Sequence, residues 1–108
     1  MFVQPVWMVQ RPLAAPRQRS FDDLEIPLRE VEFCAVDLET TSGSWRDGEI
    51  IEIGAVRSRG GEVTGTFETF VRPSVDIPVD IQLLTGITPS MVSDAVPLPA
   101  VLPAFIEF

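Results

Sequence analysis

The chain has 108 residues and is 45% hydrophobic, which suits one modest domain with a real core and is too short for two independent ones. Its 16 Asp and Glu against 8 Lys and Arg leave a formal charge of -8, so no overall basic field draws in a polyanion. Local carboxylates still suit a site for divalent cations, whose own charge inverts the local field, and with 0 His any reaction that needs an imidazole base cannot be completed by these residues.

Residues 1–20 read as a flexible or weakly docked tail. Pro5, Pro12 and Pro16 interrupt it, Arg11, Arg17 and Arg19 gather its positive charge, and no helical or strand period persists. The opening M-F-V-Q-P-V-W-M-V has neither a basic start nor a long apolar run, and no later segment approaches bilayer length. The expectation is a soluble, cytoplasmic protein with no membrane partner. Residues 21–30, F-D-D-L-E-I-P-L-R-E, form a lead-in that lays Phe21, Leu24 and Leu28 on the body.

The organised part, within a domain spanning 21–108, begins at Val31. V-E-F-C-A-V-D-L reads as a buried strand, with Cys34, Val36 and Leu38 on one side and Phe33, Ala35, Asp37 and Glu39 on the other. Cys34, the sole cysteine, has no partner for a disulfide or thiolate metal site and reads as a buried, inert thiol. Thr40 to Gly48 is a polar loop. E-I-I-E-I-G-A-V-R-S is a second strand, turned by R-G-G-E into a third over residues 63–71, which makes an antiparallel hairpin. Beyond it lie a short apolar I-Q-L-L, a T-G-I-T loop whose Thr88 caps a helix starting at Pro89, and a last helix that packs Val101, Leu102, Phe105 and Ile106 against the sheet. The apolar ending F-I-E-F, without a cap, reads as a cut domain.

In V-D-L-E-T-T, Val36 to Thr41, the two acids sit two residues apart on an extended strand, so they share a face with Cα atoms about 6.6 Å apart. Carboxylates that converge either share a proton or hold a cation, and a hard divalent ion with oxygen ligands fits. Acids at strand ends are common, so D-x-E alone leaves a metal site and a solvated strand end both open. Thr40 and Thr41 add hydroxyls and free backbone N–H groups suited to a phosphate or terminal sugar. Glu52 interrupts the strongest apolar run and calls for a partner in Arg46, Arg57 or a backbone N–H, while Gly54 on its face allows a close backbone approach. Q-L-L-T-G-I-T, with Leu83, Thr85, Gly86 and Ile87, reads either as a wall for a base or as a loop sealing the core. Trp45 reads either as a base platform or as a surface contact.

Taken together, F-C-A-V-D-L-E-T-T, E-I-I-E-I-G-A-V, G-G-E-V, F-E-T-F-V-R-P, L-L-T-G-I-T-P-S-M-V and A-V-P resemble the DnaQ-like (DEDD) 3'-5' exonucleases typified by the epsilon proofreading subunit of bacterial DNA polymerase III. The likeness covers roughly residues 20–108. It implies an α/β, ribonuclease-H-like fold, here incomplete, with a three-stranded antiparallel sheet whose first strand is central, followed by helices. By the same resemblance Asp37 and Glu39 bind the catalytic metals, two Mg2+ or Mn2+ ions in the complete domain. Asp37 would bridge both ions, and Glu39 would hold the ion that orients the attacking water. Thr40 and Thr41 would lie beside the 3' terminal nucleotide, and Leu83, Thr85, Gly86 and Ile87 would wall its base.

The resemblance also implies a later aspartate beginning just beyond Phe108, then a histidine and a last aspartate, none of them in this chain. Hydrolysis across ions roughly 3.5 to 4 Å apart needs that full ligand set, so weak or no activity is expected of the 108 residues alone. The implied partners are the 3' end of single-stranded DNA and DNA polymerase subunits. Ser42 replaces the glycine that usually follows the two threonines, with Gly43 next. Three readings compete: a truncated, non-catalytic contact module, an exonuclease of oligoribonucleotides, and a phosphatase using Asp37 as nucleophile. The last sits poorly with an antiparallel hairpin.

Overall fold

The computed structural model describes residues 2–5 and 26–108. Four strands form one sheet in the order β1-β2-β3-β4: β1 Phe2–Pro5, β2 Glu32–Thr40, β3 Ile50–Arg59 and β4 Glu62–Phe70. Helices α1 Val79–Thr85, α2 Pro89–Val92 and α3 Leu98–Glu107 follow. The expected three strands followed by helices are present; the middle one of those three is β3, and β2 is interior to the sheet because β1 pairs on its other side. The addition is β1, which falls within the expected tail and pairs antiparallel with β2 as Phe2↔Val36, Val3↔Ala35, Gln4↔Cys34 and Pro5↔Phe33. The remainder of that tail, and Phe21 and Leu24, lie outside the described residues.

The chain divides into two compact units, the first formed by residues 1–36 and 55–66. Here the β3–β4 turn is Gly60-Gly61 with φ of 60° and 84°, both in the left-handed region that a two-residue hairpin turn demands and glycine supplies. A Cβ on Gly60 would also stand 3.2 Å from the Arg29 carbonyl oxygen, on the short 3-10 turn Leu28–Glu30. Glu32 accepts a hydrogen bond from Thr64 Oγ1 at 3.1 Å and lies 3.8 Å from Arg57 Nη1. Cys34 is half-buried rather than buried. Burial pushes its thiol up, with Arg57 opposing and Glu32 assisting, so it stays protonated near neutral pH.

The second unit, residues 37–54 and 67–108, holds both hydrophobic clusters. Alternation along β3 sends Ile51 and Ile53 to one side, both buried. Ile51 packs with Ile77, Ile87, Val92, Phe70 and Ile81, and Ile53 packs with Val71, Val101, Phe67, Leu98 and Phe105. Each fully buried isoleucine contributes roughly 1.5 to 3 kcal/mol by leaving water. Neither cluster draws on β2, whose residues 32–36 are half-buried and whose Asp37 and Leu38 are exposed. The expected buried strand is therefore corrected.

Helix α3 also departs from expectation. Leu98, Val101 and Phe105 face the core at i, i+3 and i+7, with the Phe67 and Phe105 rings 5.6 Å apart. Leu102 and Ile106 lie one residue further round and are exposed. Thr88 does stand at the N-cap of α2, with Pro89 at its first position.

Candidate active site

All the residues expected to act on a substrate fall in the second unit. Asp37 and Glu39 lie on one face at the end of β2, Asp37 exposed and Glu39 half-buried. Their environment is recorded by Glu52 on β3, whose carboxyl is pushed above its ordinary value first by burial, then by Glu68, Glu39 and Asp37. Four carboxylates therefore share one field. The cations expected to pair with Glu52 are engaged elsewhere: Arg57 with Glu32, and Arg46 over the Trp45 ring. Gly54 lies beside Asp37, where a Cβ would meet the Asp37 carbonyl oxygen at 3.9 Å, an ordinary contact rather than a close approach.

The threonines after the acids build the loop. Thr41 is 3% exposed; its hydroxyl accepts from the Glu49 N–H at 3.0 Å, and its own N–H donates to the Glu49 carbonyl at 2.9 Å. Thr40 Oγ1 donates to the Ser42 carbonyl at 2.6 Å. The hydroxyls and the Thr41 N–H that the sequence offered to a phosphate are thus spent on local structure, because a buried polar group without a partner costs about 1 to 3 kcal/mol. Ser42, at the position expected to carry glycine, has its hydroxyl accept from the Ser44 N–H at 3.0 Å, while a Cβ on Gly43 would meet nothing within 4 Å. The crowded glycine is Gly48, where a Cβ would stand 2.8 Å from the Ser44 carbonyl oxygen and 2.9 Å from that of Ser42.

The Q-L-L-T-G-I-T segment divides between its two readings. Ile87 is core, joined to Ile51 of β3. Thr85 Oγ1 donates to the Ile81 carbonyl at 2.8 Å and accepts from the Ile87 N–H at 3.1 Å. Gly86 ends α1 in the left-handed conformation, φ 74°, with its N–H on the Gln82 carbonyl at 2.9 Å. Leu83 by contrast is 83% exposed. The buried Ile87 holds the helix end, and the helix presents leucine to solvent.

Asp37 and Glu39 offer oxygen ligands in a negative field, which suits a hard divalent ion. No group of three or more Asp, Glu, Cys or His among the described residues is placed to hold a metal. The residues therefore fit part of a cation site and do not build a two-ion centre. Sequence reasoning missed Glu68, whose approach to Glu52 comes from the pairing of β4 with β3; an acid at an alternate position of F-E-T-F was the available signal.

Residues 34–108 match the RNase_T family, described as Exonuclease. A PolC-type DNA polymerase III of Caldanaerobacter subterraneus is 51% identical over 73% of this chain and 6% of its own length. The DNA polymerase III subunit epsilon of Aquifex aeolicus is 42% identical over 70% of this chain and 38% of its own length. Among solved structures, the nuclease domain of 3'hExo, a DEDDh family member bound to rAMP, has a TM-score of 0.61 at 33% identity, covering 68% of this chain and 41% of that one. The chain thus spans well under half the length of these relatives. No helix among the described residues is long and apolar enough to cross a membrane.

Proposed function

Since this chain belongs to the RNase_T exonuclease family, we propose that it carries part of the centre of a metal-dependent 3'-5' exonuclease that removes nucleotides from the 3' end of single-stranded DNA. The observation that carries this reading is the placement of Asp37 and Glu39 on one face of β2, in a field of like charge that adds to burial in pushing the Glu52 carboxyl above its ordinary value. Such a field calls for a cation, and Asp37 and Glu39 are the ligands. A divalent ion held there supplies charge stabilisation for a phosphoryl group and acidifies a bound water. The partner ligands of a two-ion centre come from outside the described residues.

Leu83 offers an apolar face to the terminal base, and Thr85, Gly86 and Ile87 fix the helix end that presents it. Thr40 and Thr41 act by shaping the turn beside the acids. DNA is preferred over RNA because the relatives named above include polymerase III proteins, which also supports polymerase subunits as partners of the whole protein. Calorimetric titration with Mg2+ or Mn2+ tests the site: the 108-residue chain binds one ion weakly, and Asp37→Ala binds none. Equal binding by both would remove Asp37 from the site. The activity itself is tested on the full-length protein; no Mg2+- or Mn2+-dependent cleavage of single-stranded DNA would refute it, and preferential cleavage of a matched RNA would reassign the substrate.

A further inference from the structure

The β2–β3 loop carries a feature that the acids on β2 do not explain. Trp45 is 86% exposed, more than any other large apolar side chain among the described residues. The Arg46 guanidinium carbon stands 5.1 Å from its ring centroid, over the indole. The loop beneath them is tied down. Thr41 and Glu49 close its base, Gly48 N–H donates to the Ser44 carbonyl at 2.8 Å, and Ser44 Oγ accepts from the Arg46 N–H at 3.3 Å. An indole presented to water on a braced loop, with a cation over one face, has its other face open.

That combination matches one kind of ligand. A nucleobase stacks on an open aromatic face with little regard to its identity, and a guanidinium lying on the ring keeps N–H donors at its edge for a phosphate oxygen. The second unit contains only two basic residues, Arg46 and Arg72, so a phosphodiester strand reaching the acids meets few cations, and one of them is stacked on Trp45. We propose that Trp45 and Arg46 form a second nucleotide subsite, Trp45 stacking on one base and Arg46 binding an adjacent phosphate of single-stranded DNA, on the 5' side of the nucleotide held at Asp37 and Glu39.

The subsite rests on the exonuclease reading for the identity and direction of the strand. Trp45 is six residues from Glu39, a reach of at most about 20 Å. At about 3.4 Å per stacked nucleotide, the bound base lies within roughly six nucleotides of the 3' end.

The test uses the 108-residue chain with Trp7→Phe, which leaves Trp45 as the sole indole, in Ca2+ buffer. Two signals are followed as oligothymidylates of one to eight nucleotides are added: Trp45 fluorescence, and the anisotropy of a 5'-fluorescein label on the same DNA. Quenching that is absent with thymidine monophosphate and appears at a length of two to six is expected. Trp45→Ala should weaken octamer binding by about 5- to 100-fold, Trp45→Phe should retain most of it, and Arg46→Gln should flatten its salt dependence. Equal thermal melts of the variants show that folding is unchanged. Octamer binding by anisotropy without quenching and without loss in Trp45→Ala overturns the subsite and leaves the exonuclease reading intact. If no octamer binds at all, the subsite falls, and the Mg2+ titration above decides separately on the acids.

Discussion

The two faces of β3 obey opposite rules. On one, Ile51 and Ile53 are buried in two hydrophobic clusters. On the other, Glu52 meets the charges of Glu68, Glu39 and Asp37. One face is arranged to lower the free energy of the fold, and the other leaves electrostatic repulsion unrelieved. A single strand thus separates what holds the unit together from what the unit offers to a cation, and the two can be perturbed one residue apart.

The sharpest break is on the apolar side. Ile53→Ala, on a fully buried side chain, should cost about 2 to 5 kcal/mol in denaturant unfolding; a cost under about 1 kcal/mol would mean that the core is not packed as described. Next comes Thr41→Val, which keeps the shape and strands the Glu49 N–H, with an expected loss of about 1 to 3 kcal/mol and faster amide exchange at Glu49.

The acidic face should respond in the other direction. The folded state holds the Glu52 proton more tightly than the unfolded chain does, so the stability Glu52 contributes is complete below its unfolded value of about 4.3 and is lost as pH rises through the raised folded value. Glu52→Gln stays neutral at every pH. It should melt higher than the wild type at pH 7 and match it at pH 4; a lower melting temperature at pH 7 would show that Glu52 has a favourable partner after all. The smallest effect is expected at Ile106→Ala, on the outer side of α3, where the side chain is 70% exposed and stability should move by no more than about 0.5 kcal/mol.

Legibility in the sequence followed the range of the contacts. The Gly60-Gly61 hairpin and the shared face of Asp37 and Glu39 rest on local geometry, a turn that needs positive φ and a period of two, so both could be read directly. The facing of α3 was half right, because apolar residues at 101, 102, 105 and 106 fit either of two helical phases and packing against Ile53, Phe67 and Val71 selects the one through Leu98, Val101 and Phe105. The surroundings of Glu52 were not legible: its like-charged neighbours come from β2 and β4, and Arg57, the cation nearest in sequence, goes to Glu32. The role of Thr41 was hidden for a related reason, since its partner Glu49 stands across the loop. No local signal announced β1, whose four residues, ending in a proline, conceal a pairing with residues about thirty positions away.

That pairing also decides where the sheet ends. With β1 on one side and β3 on the other, β2 has both neighbours, so among the described residues the sheet's open edges belong to β1 and β4. Pro5 has no N–H to offer, which blunts the β1 edge as a template for pairing with another chain.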